Sequence, residues 1–148
     1  MRMLKWLFFE LLFLAVILGV PMLHARQAAT QTEELRTELG VLRTALTIYY
    51  GDQQGKYPVN LGELTMYHKY LKRPPRGVDI YATVPGRGVM RVHTRQEMEK
   101  VSSFGSSKQA DDTGGWGYVN DPRSPEYGLV FVNCTHREPK KKTLWYLE

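Results

Sequence analysis

The N-terminal apolar run constrains the fold more than any other feature of the sequence. Residues 6 to 23 are apolar except for Glu10. As one helix they would be about 27 Å long, close to the thickness of the hydrocarbon core of a bilayer. The sequence therefore predicts a transmembrane helix over residues 6–24. Arg2 and Lys5 precede this span and the bulk of the chain follows it, which predicts a cytoplasmic N-terminus and a C-terminal domain outside.

A cleaved secretory signal is the alternative interpretation of this run. Leu23-His24-Ala25 weakly resembles a small-residue cleavage site behind an apolar core. However, the run is longer than a usual signal core, and a bulky Leu would stand three residues back from the cut. We therefore favour the membrane span.

The helical pattern continues beyond the apolar run. No proline interrupts residues 24 to 50, and glycines at 51 and 55 are typical of a helix end. Residues 25–53 are thus predicted to be the outer, amphipathic half of the same helix. Its apolar stripe should pack against the rest of the domain, and it consists of Leu35, Leu39, Leu42, Leu46 and Tyr49.

Residues 54–148 are predicted to form a small globular domain. Asn60 and Glu63 suit the cap of a short helix that begins at Leu61 and stops before Pro74-Pro75. Beyond Gly88 the hydrophobic pattern changes to alternation of apolar and polar residues, which is typical of strands. A polar loop is predicted from Arg95 to Gly115, with one helical turn near residues 96–101. The predicted strands are Val89–His93, Trp116–Val119, Tyr127–Asn133 and Thr143–Leu147.

These elements predict an α+β fold. A long N-terminal helix should pack against the short helix and a small antiparallel β-sheet, with residues 1–5 as a basic leader-like segment. The strand at Tyr127–Asn133 is apolar on both faces, so we expect it to be central and covered by the long helix.

Charge and cysteine content narrow the function classes. The formal net charge is +5, but the basic residues are scattered, so a nucleic-acid surface is not expected from charge alone. Two local concentrations of positive charge are interpreted as solvated loops. They consist of Arg73, Arg76, Lys140, Lys141 and Lys142. One cysteine, Cys134, rules out a disulfide within the chain. The tripeptide Asn133-Cys134-Thr135 fits a glycosylation pattern but carries little weight at the end of a predicted strand.

Several segments resemble the type IV pilins and the pseudopilins of type II secretion. Trp6-Leu7-Phe8-Phe9-Glu10-Leu11-Leu12 resembles the aromatic-led start of their apolar helix, with Gly19 where that family commonly has a helix-loosening glycine. Thr113-Gly114-Gly115-Trp116-Gly117-Tyr118 is similar to a glycine–tryptophan motif of pseudopilin-like proteins. The turn after the first helix is also similar, in the segments 42–46, 49–52, 55–58 and 61–64.

The resemblance implies a structural role in a filament. It implies a bacterial inner-membrane protein with its domain in the periplasm, assembling with itself and other pilin-like subunits on an inner-membrane platform into a type IV pilus or pseudopilus. Glu10 would pair with the methylated N-terminal amine of a neighbouring subunit, and a carboxylate within a span costs about 3 kcal/mol without such a partner. Trp6, Gly19 and Pro21 would belong to the same assembly region, with local unwinding of the helix near Gly19 to Pro21.

One position departs from the family pattern. A prepilin peptidase would cut before Trp6, yet Lys5 stands where the family has Gly. A membrane-anchored binding module that never polymerises is therefore kept as an alternative. A second alternative is a DNA-binding minor pilin of an uptake system, which requires the basic residues named above to converge.

No enzymatic activity and no cofactor are expected. His24, His68, His93 and His136 show no metal-ligand spacing, and a Cys134–His136 nucleophile would need a meeting in space that the sequence does not predict. The one metal hypothesis is calcium, with oxygen ligands from glycine-bearing loops. Its candidate ligands are Asp111, Asp112 and Asp121.

Overall fold

The computed structural model describes residues 2–148. Within the first helix it describes the side chains of Glu10, Phe13, Met22 and Leu23 and all side chains from residue 25 onward. The fold is α+β, with a long helix, two small sheets and short 3₁₀ turns. Helix α1 spans Arg2–Asp52, which confirms the predicted continuous helix and its end near residue 51.

The outer half of α1 forms one wall of the hydrophobic core. Its apolar side chains recur every three or four residues, so they share one face of the helix. This face packs against both sheets, as the stripe predicts, and Tyr49 lies partly buried at its edge. The fully buried members are Leu35, Leu39, Leu42, Ala45 and Leu46.

The predicted membrane half of α1 lies mostly outside the described side chains. Phe13, Met22 and Leu23 are described and are each more than 60% exposed. Among the described residues, no helix is both long enough and apolar enough to cross a membrane.

Two sheets, rather than one, cover the helix. Strands β1 (Ile80–Val84) and β2 (Gly88–His93) form an antiparallel hairpin. Strands β3 (Val101–Phe104), β4 (Trp116–Val119) and β5 (Val130–Val132) form the second sheet in the order β3-β4-β5. There β3 runs parallel to β4, and β5 runs antiparallel to it.

Strands β2 and β4 confirm two sequence predictions, but the single antiparallel sheet is wrong. Strand β5 is shorter than predicted and lies at an edge, so β4 is the central strand. All three residues of β5 are nevertheless buried, since α1 and the C-terminal 3₁₀ turn contact this strand. The strand predicted at Thr143–Leu147 is instead a 3₁₀ turn at Trp145–Leu147, with only an isolated bridge at Leu144.

The predicted short helix is a 3₁₀ helix, Leu61–His68. Glu63 accepts a hydrogen bond from the backbone N–H of Asn60 at 3.4 Å, as the predicted cap requires. The helix kinks at Tyr67, where φ is 55°, and therefore ends before the predicted boundary. The N–H of Leu71 then donates to the carbonyl of Leu64 at 2.8 Å and closes the turn.

Gly115, at the entry to β4, is expected to tolerate no side chain. Its φ is +85°, and a Cβ there would lie 2.5 Å from the Lys100 carbonyl oxygen, which accepts the Trp116 N–H at 2.8 Å. Gly115→Ala combines an unfavourable left-handed backbone with overpacking, so we expect it to lower the free energy of unfolding by about 2–4 kcal/mol. Urea unfolding of the full chain in detergent, followed by tryptophan fluorescence, measures the change.

Gly40→Ala is the matched control for that measurement. Gly40 is exposed in the middle of α1, and a Cβ there would meet nothing within 4 Å. Alanine stabilises a helix interior relative to glycine, so this variant should gain up to about 1 kcal/mol. Equal effects of the two substitutions would contradict the described geometry at Gly115.

Candidate functional site

The residues expected to act in assembly all lie on α1. Glu10 is exposed. The side chains of Lys5, Trp6 and Pro21 lie outside the described part, so the proposed processing and assembly contacts stay predictions. The backbone of α1 continues through residues 19–21, so the unwinding expected there is absent from the helix as described.

A cluster of four side chains from three parts of the chain is the best-defined polar site. His93 ends β2, Asp112 lies in the loop before β4, and Cys134 and His136 follow β5. One nitrogen, oxygen or sulfur atom from each lies within 4.8 Å of the corresponding atoms of all the others. We call these residues the His–Asp–Cys cluster.

Asp112 is the centre of the cluster. Its Oδ1 lies 3.3 Å from Nε2 of His93 and 3.1 Å from Nδ1 of His136, and it accepts the Thr135 N–H at 2.8 Å. Burial opposes ionisation of this carboxyl, but the Thr135 N–H and the two imidazoles outweigh it and lower the pKa of Asp112. The carboxylate is thus anionic at neutral pH and holds both rings.

Cys134 forms the closed side of the cluster. It is fully buried, and its Sγ lies 3.7 Å from Nδ1 of His136. Burial raises the pKa of this thiol to about 12. Because the thiolate is the reactive form of cysteine, a buried thiol of this kind is poorly suited to nucleophilic catalysis.

Solvent reaches the cluster from the opposite side. The side chains of His136 and Asp112 are 35% and 30% exposed, whereas that of His93 is 7% exposed. The cluster is therefore partly open at His136 and Asp112 and packed at His93 and Cys134. It also joins the end of the β1–β2 hairpin to the end of the three-stranded sheet.

The three aspartates of the calcium hypothesis have different partners. Asp111 accepts from the Asn133 side-chain amide at 2.7 Å and from the Thr113 hydroxyl at 2.8 Å. Asp121 pairs with Arg123 on the surface at 3.2 Å. Asp112 belongs to the His–Asp–Cys cluster, and the structure does not assemble the three carboxylates around one point.

Asn133 is inaccessible in the folded chain. Its side chain is fully buried, and its amide nitrogen donates to Asp111, Thr113 and the Gly114 carbonyl. The side-chain amide that the glycosylation pattern would modify is thus engaged in a structural hydrogen-bond network.

Two of the five basic residues considered for an anionic partner are already paired. Arg73 binds Glu38 at 2.7 Å, and Lys141 binds Glu148 at 2.8 Å. The first contact ties the connector after the short helix to α1, and the second lies within the C-terminal segment. They reduce the positive charge that these two residues can offer to a partner.

The His–Asp–Cys cluster was not predicted from the sequence. Its members are far apart in the sequence, except for Cys134 and His136, and no standard ligand spacing relates them. The one available signal was that His93 and the Cys134-Thr135-His136 segment each end a predicted strand. Without the sheet order, nothing indicated that these strand ends meet.

Comparisons of the chain with protein-family models, with curated proteins and with solved structures found no match.

Proposed function

We infer that this chain is a structural subunit of a pilin-like filament, either a type IV pilus or a type II secretion pseudopilus. In this proposal it is an inner-membrane protein with a cytoplasmic N-terminus and a periplasmic domain. It catalyses no reaction, and it associates with copies of itself or with related subunits through its apolar N-terminal helix.

The observation that carries the proposal is the division of α1 into two parts. The helix has 51 residues, roughly 75 Å, and its first described buried side chain is Ala28. The preceding roughly 40 Å carries the apolar run, and none of its described side chains is buried by the domain. An apolar surface of this length needs lipid or other subunits to cover it.

Glu10 supports the same proposal. An unpaired carboxylate among apolar residues is costly in a membrane, and residues of this kind usually face a partner. A positively charged amine from a neighbouring copy would neutralise it and fix the axial register between two helices. The pairing distinguishes a polymerising subunit from a simple anchor.

The intact mass and N-terminal sequence of protein extracted from membranes test the proposal. We expect a chain that starts at Trp6 with a methylated amine, despite Lys5 before the cut. A start at Met1 would favour the non-polymerising anchored module. A start at Arg26 would mean a cleaved signal and would contradict both the filament and the anchor.

The DNA-binding alternative gains no specific support from the described contacts, because Arg73 and Lys141 are engaged with carboxylates. Binding of DNA that falls steeply with added salt would revive it.

A further inference from the structure

We propose that the His–Asp–Cys cluster binds one zinc ion, with His93, Asp112, Cys134 and His136 as its four ligands. This site goes beyond the structural role proposed above and does not depend on it. It shares only Asp112 with the calcium hypothesis and holds a different metal.

The distances within the cluster fit a tetrahedral zinc site. Zinc bonds of about 2.0–2.3 Å place neighbouring ligand atoms about 3.3–3.8 Å apart. Asp112 Oδ1 lies 3.3 Å from Nε2 of His93 and 3.1 Å from Nδ1 of His136, which in turn lies 3.7 Å from Cys134 Sγ. The remaining three pairs lie within 4.8 Å and need to close by no more than about 1.5 Å.

The donor atoms select the metal. Two imidazoles and a thiolate are borderline or soft ligands that suit zinc, whereas calcium takes oxygen ligands almost exclusively. On binding, the Cys134 thiol releases its proton to solvent and forms the zinc–sulfur bond. The thiolate and the Asp112 carboxylate then balance the two positive charges of the ion, so the partly buried site carries no net charge.

The surroundings hold the ligands in place. The Thr135 N–H donates to Asp112 at 2.8 Å, which is the kind of outer-shell contact that orients a metal-binding carboxylate. Thr135 lies between the proposed ligands Cys134 and His136 in the sequence. Asp112 itself has a φ of 62°, a left-handed conformation that Asp tolerates better than most residues, and this backbone aims its carboxylate into the cluster.

Four protein ligands indicate a structural rather than a catalytic zinc site, since a catalytic site keeps one position open. The ion would link the end of β2 to the loop before β4 and the segment after β5. This chain has a single cysteine, so no disulfide can make such a link. Zinc would therefore act as the cross-link between the two sheets.

The test uses the full-length chain in detergent, purified without a histidine tag, stripped of metal with a chelator and then titrated with zinc alone. We expect one zinc per chain. His136→Gln should weaken zinc affinity by more than about 100-fold, because the loss of a direct ligand exceeds the 10- to 100-fold effect of outer-shell changes. Zinc should raise the unfolding midpoint of the wild type but not of this variant.

His68→Gln is the matched control. His68 is exposed and lies outside the cluster, next to the Lys72 carbonyl at 3.0 Å. This variant should bind zinc as the wild type does. Because His136 is partly exposed, its replacement should leave the fold intact, which the fluorescence of the buried Trp116 and Trp145 checks.

Cobalt substitution tests the sulfur ligand directly. Tetrahedral Co²⁺ in the wild type should show a thiolate-to-metal charge-transfer band that Cys134→Ser loses. Three results would overturn the proposal: no stoichiometric zinc in the wild type, equal affinities in the His136 and His68 variants, or a cobalt spectrum without the thiolate band.

Discussion

Arg36→Met is expected to lower the free energy of unfolding by about 3–5 kcal/mol, the range for removing one partner of a buried ion pair. Arg36 lies on the core side of α1 with its side chain 20% exposed. Its Nη2 lies 3.5 Å from Oε1 of Glu138, which is fully buried. Methionine keeps the apolar stem of the arginine, so the change isolates the loss of charge.

The carboxylate of Glu138 explains the size of this effect. Its Oε2 accepts a hydrogen bond from the Lys141 N–H, whereas its Oε1 has Arg36 as its charged neighbour and no hydrogen bond. Without Arg36 the buried charge would have no cation within ion-pair distance among the described residues. Arg36 also contacts Glu148 at 3.4 Å, so the end of the chain would lose an attachment to α1.

Two further variants make this prediction specific. Arg123→Met removes a surface pair with Asp121 whose arginine is 90% exposed, and should cost less than about 1 kcal/mol. Arg36→Met combined with Glu138→Gln should recover part of the loss, because the buried charge is then gone. Urea unfolding measures all of them, and an Arg36→Met cost equal to that of Arg123→Met would refute the account of the buried pair.

The helical part of the fold could be predicted because its signals are local. The spacing of Leu35, Leu39, Leu42 and Leu46 identifies the buried face, and glycines mark the end. Strand β4 could be predicted equally well, since glycines and an Asn bound it and its Trp, Tyr and Val residues have high strand propensity. In these segments, local propensity and tertiary packing favour the same structure.

Other elements could not be predicted because pairing partners decide them. Strand β3 has the sequence Val-Ser-Ser-Phe and lies inside a polar stretch that reads as a loop. It is a strand because its backbone pairs in parallel with the apolar strand β4. In the same way, Thr143–Leu147 has a strand-like composition, but the N–H groups of Leu147 and Glu148 donate back to the carbonyls of Leu144 and Trp145, which makes a 3₁₀ turn.

The His–Asp–Cys cluster was missed for a related reason. A metal site whose four ligands come from separated segments can be recognised only once the order of the strands in the sheets is known. Cys134 and His136 lie just beyond the predicted strand Tyr127–Asn133, and the observed β5 ends earlier, at Val132. The chain beyond β5 turns, and both side chains can therefore reach Asp112.

Glu10→Ala is expected to abolish assembly, and this is the largest functional effect that we predict. The proposed pairing would recover the cost of a carboxylate within a span, about 3 kcal/mol, so its loss should lower the association constant by about 100-fold. Glu33→Ala is the matched control on the same helix. Glu33 is exposed and pairs with Arg36 at 2.9 Å, outside the apolar run, so this variant should assemble normally.

The central claim is that copies of this chain associate through the N-terminal helix, and the most direct measurement is the assembled fraction in cell membranes. Chemical cross-linking and electron microscopy of the sheared fraction should show oligomers or filaments for the wild type and Glu33→Ala, and almost none for Glu10→Ala. Assembly of Glu10→Ala at the wild-type level, or no assembly of the wild type, would contradict the account.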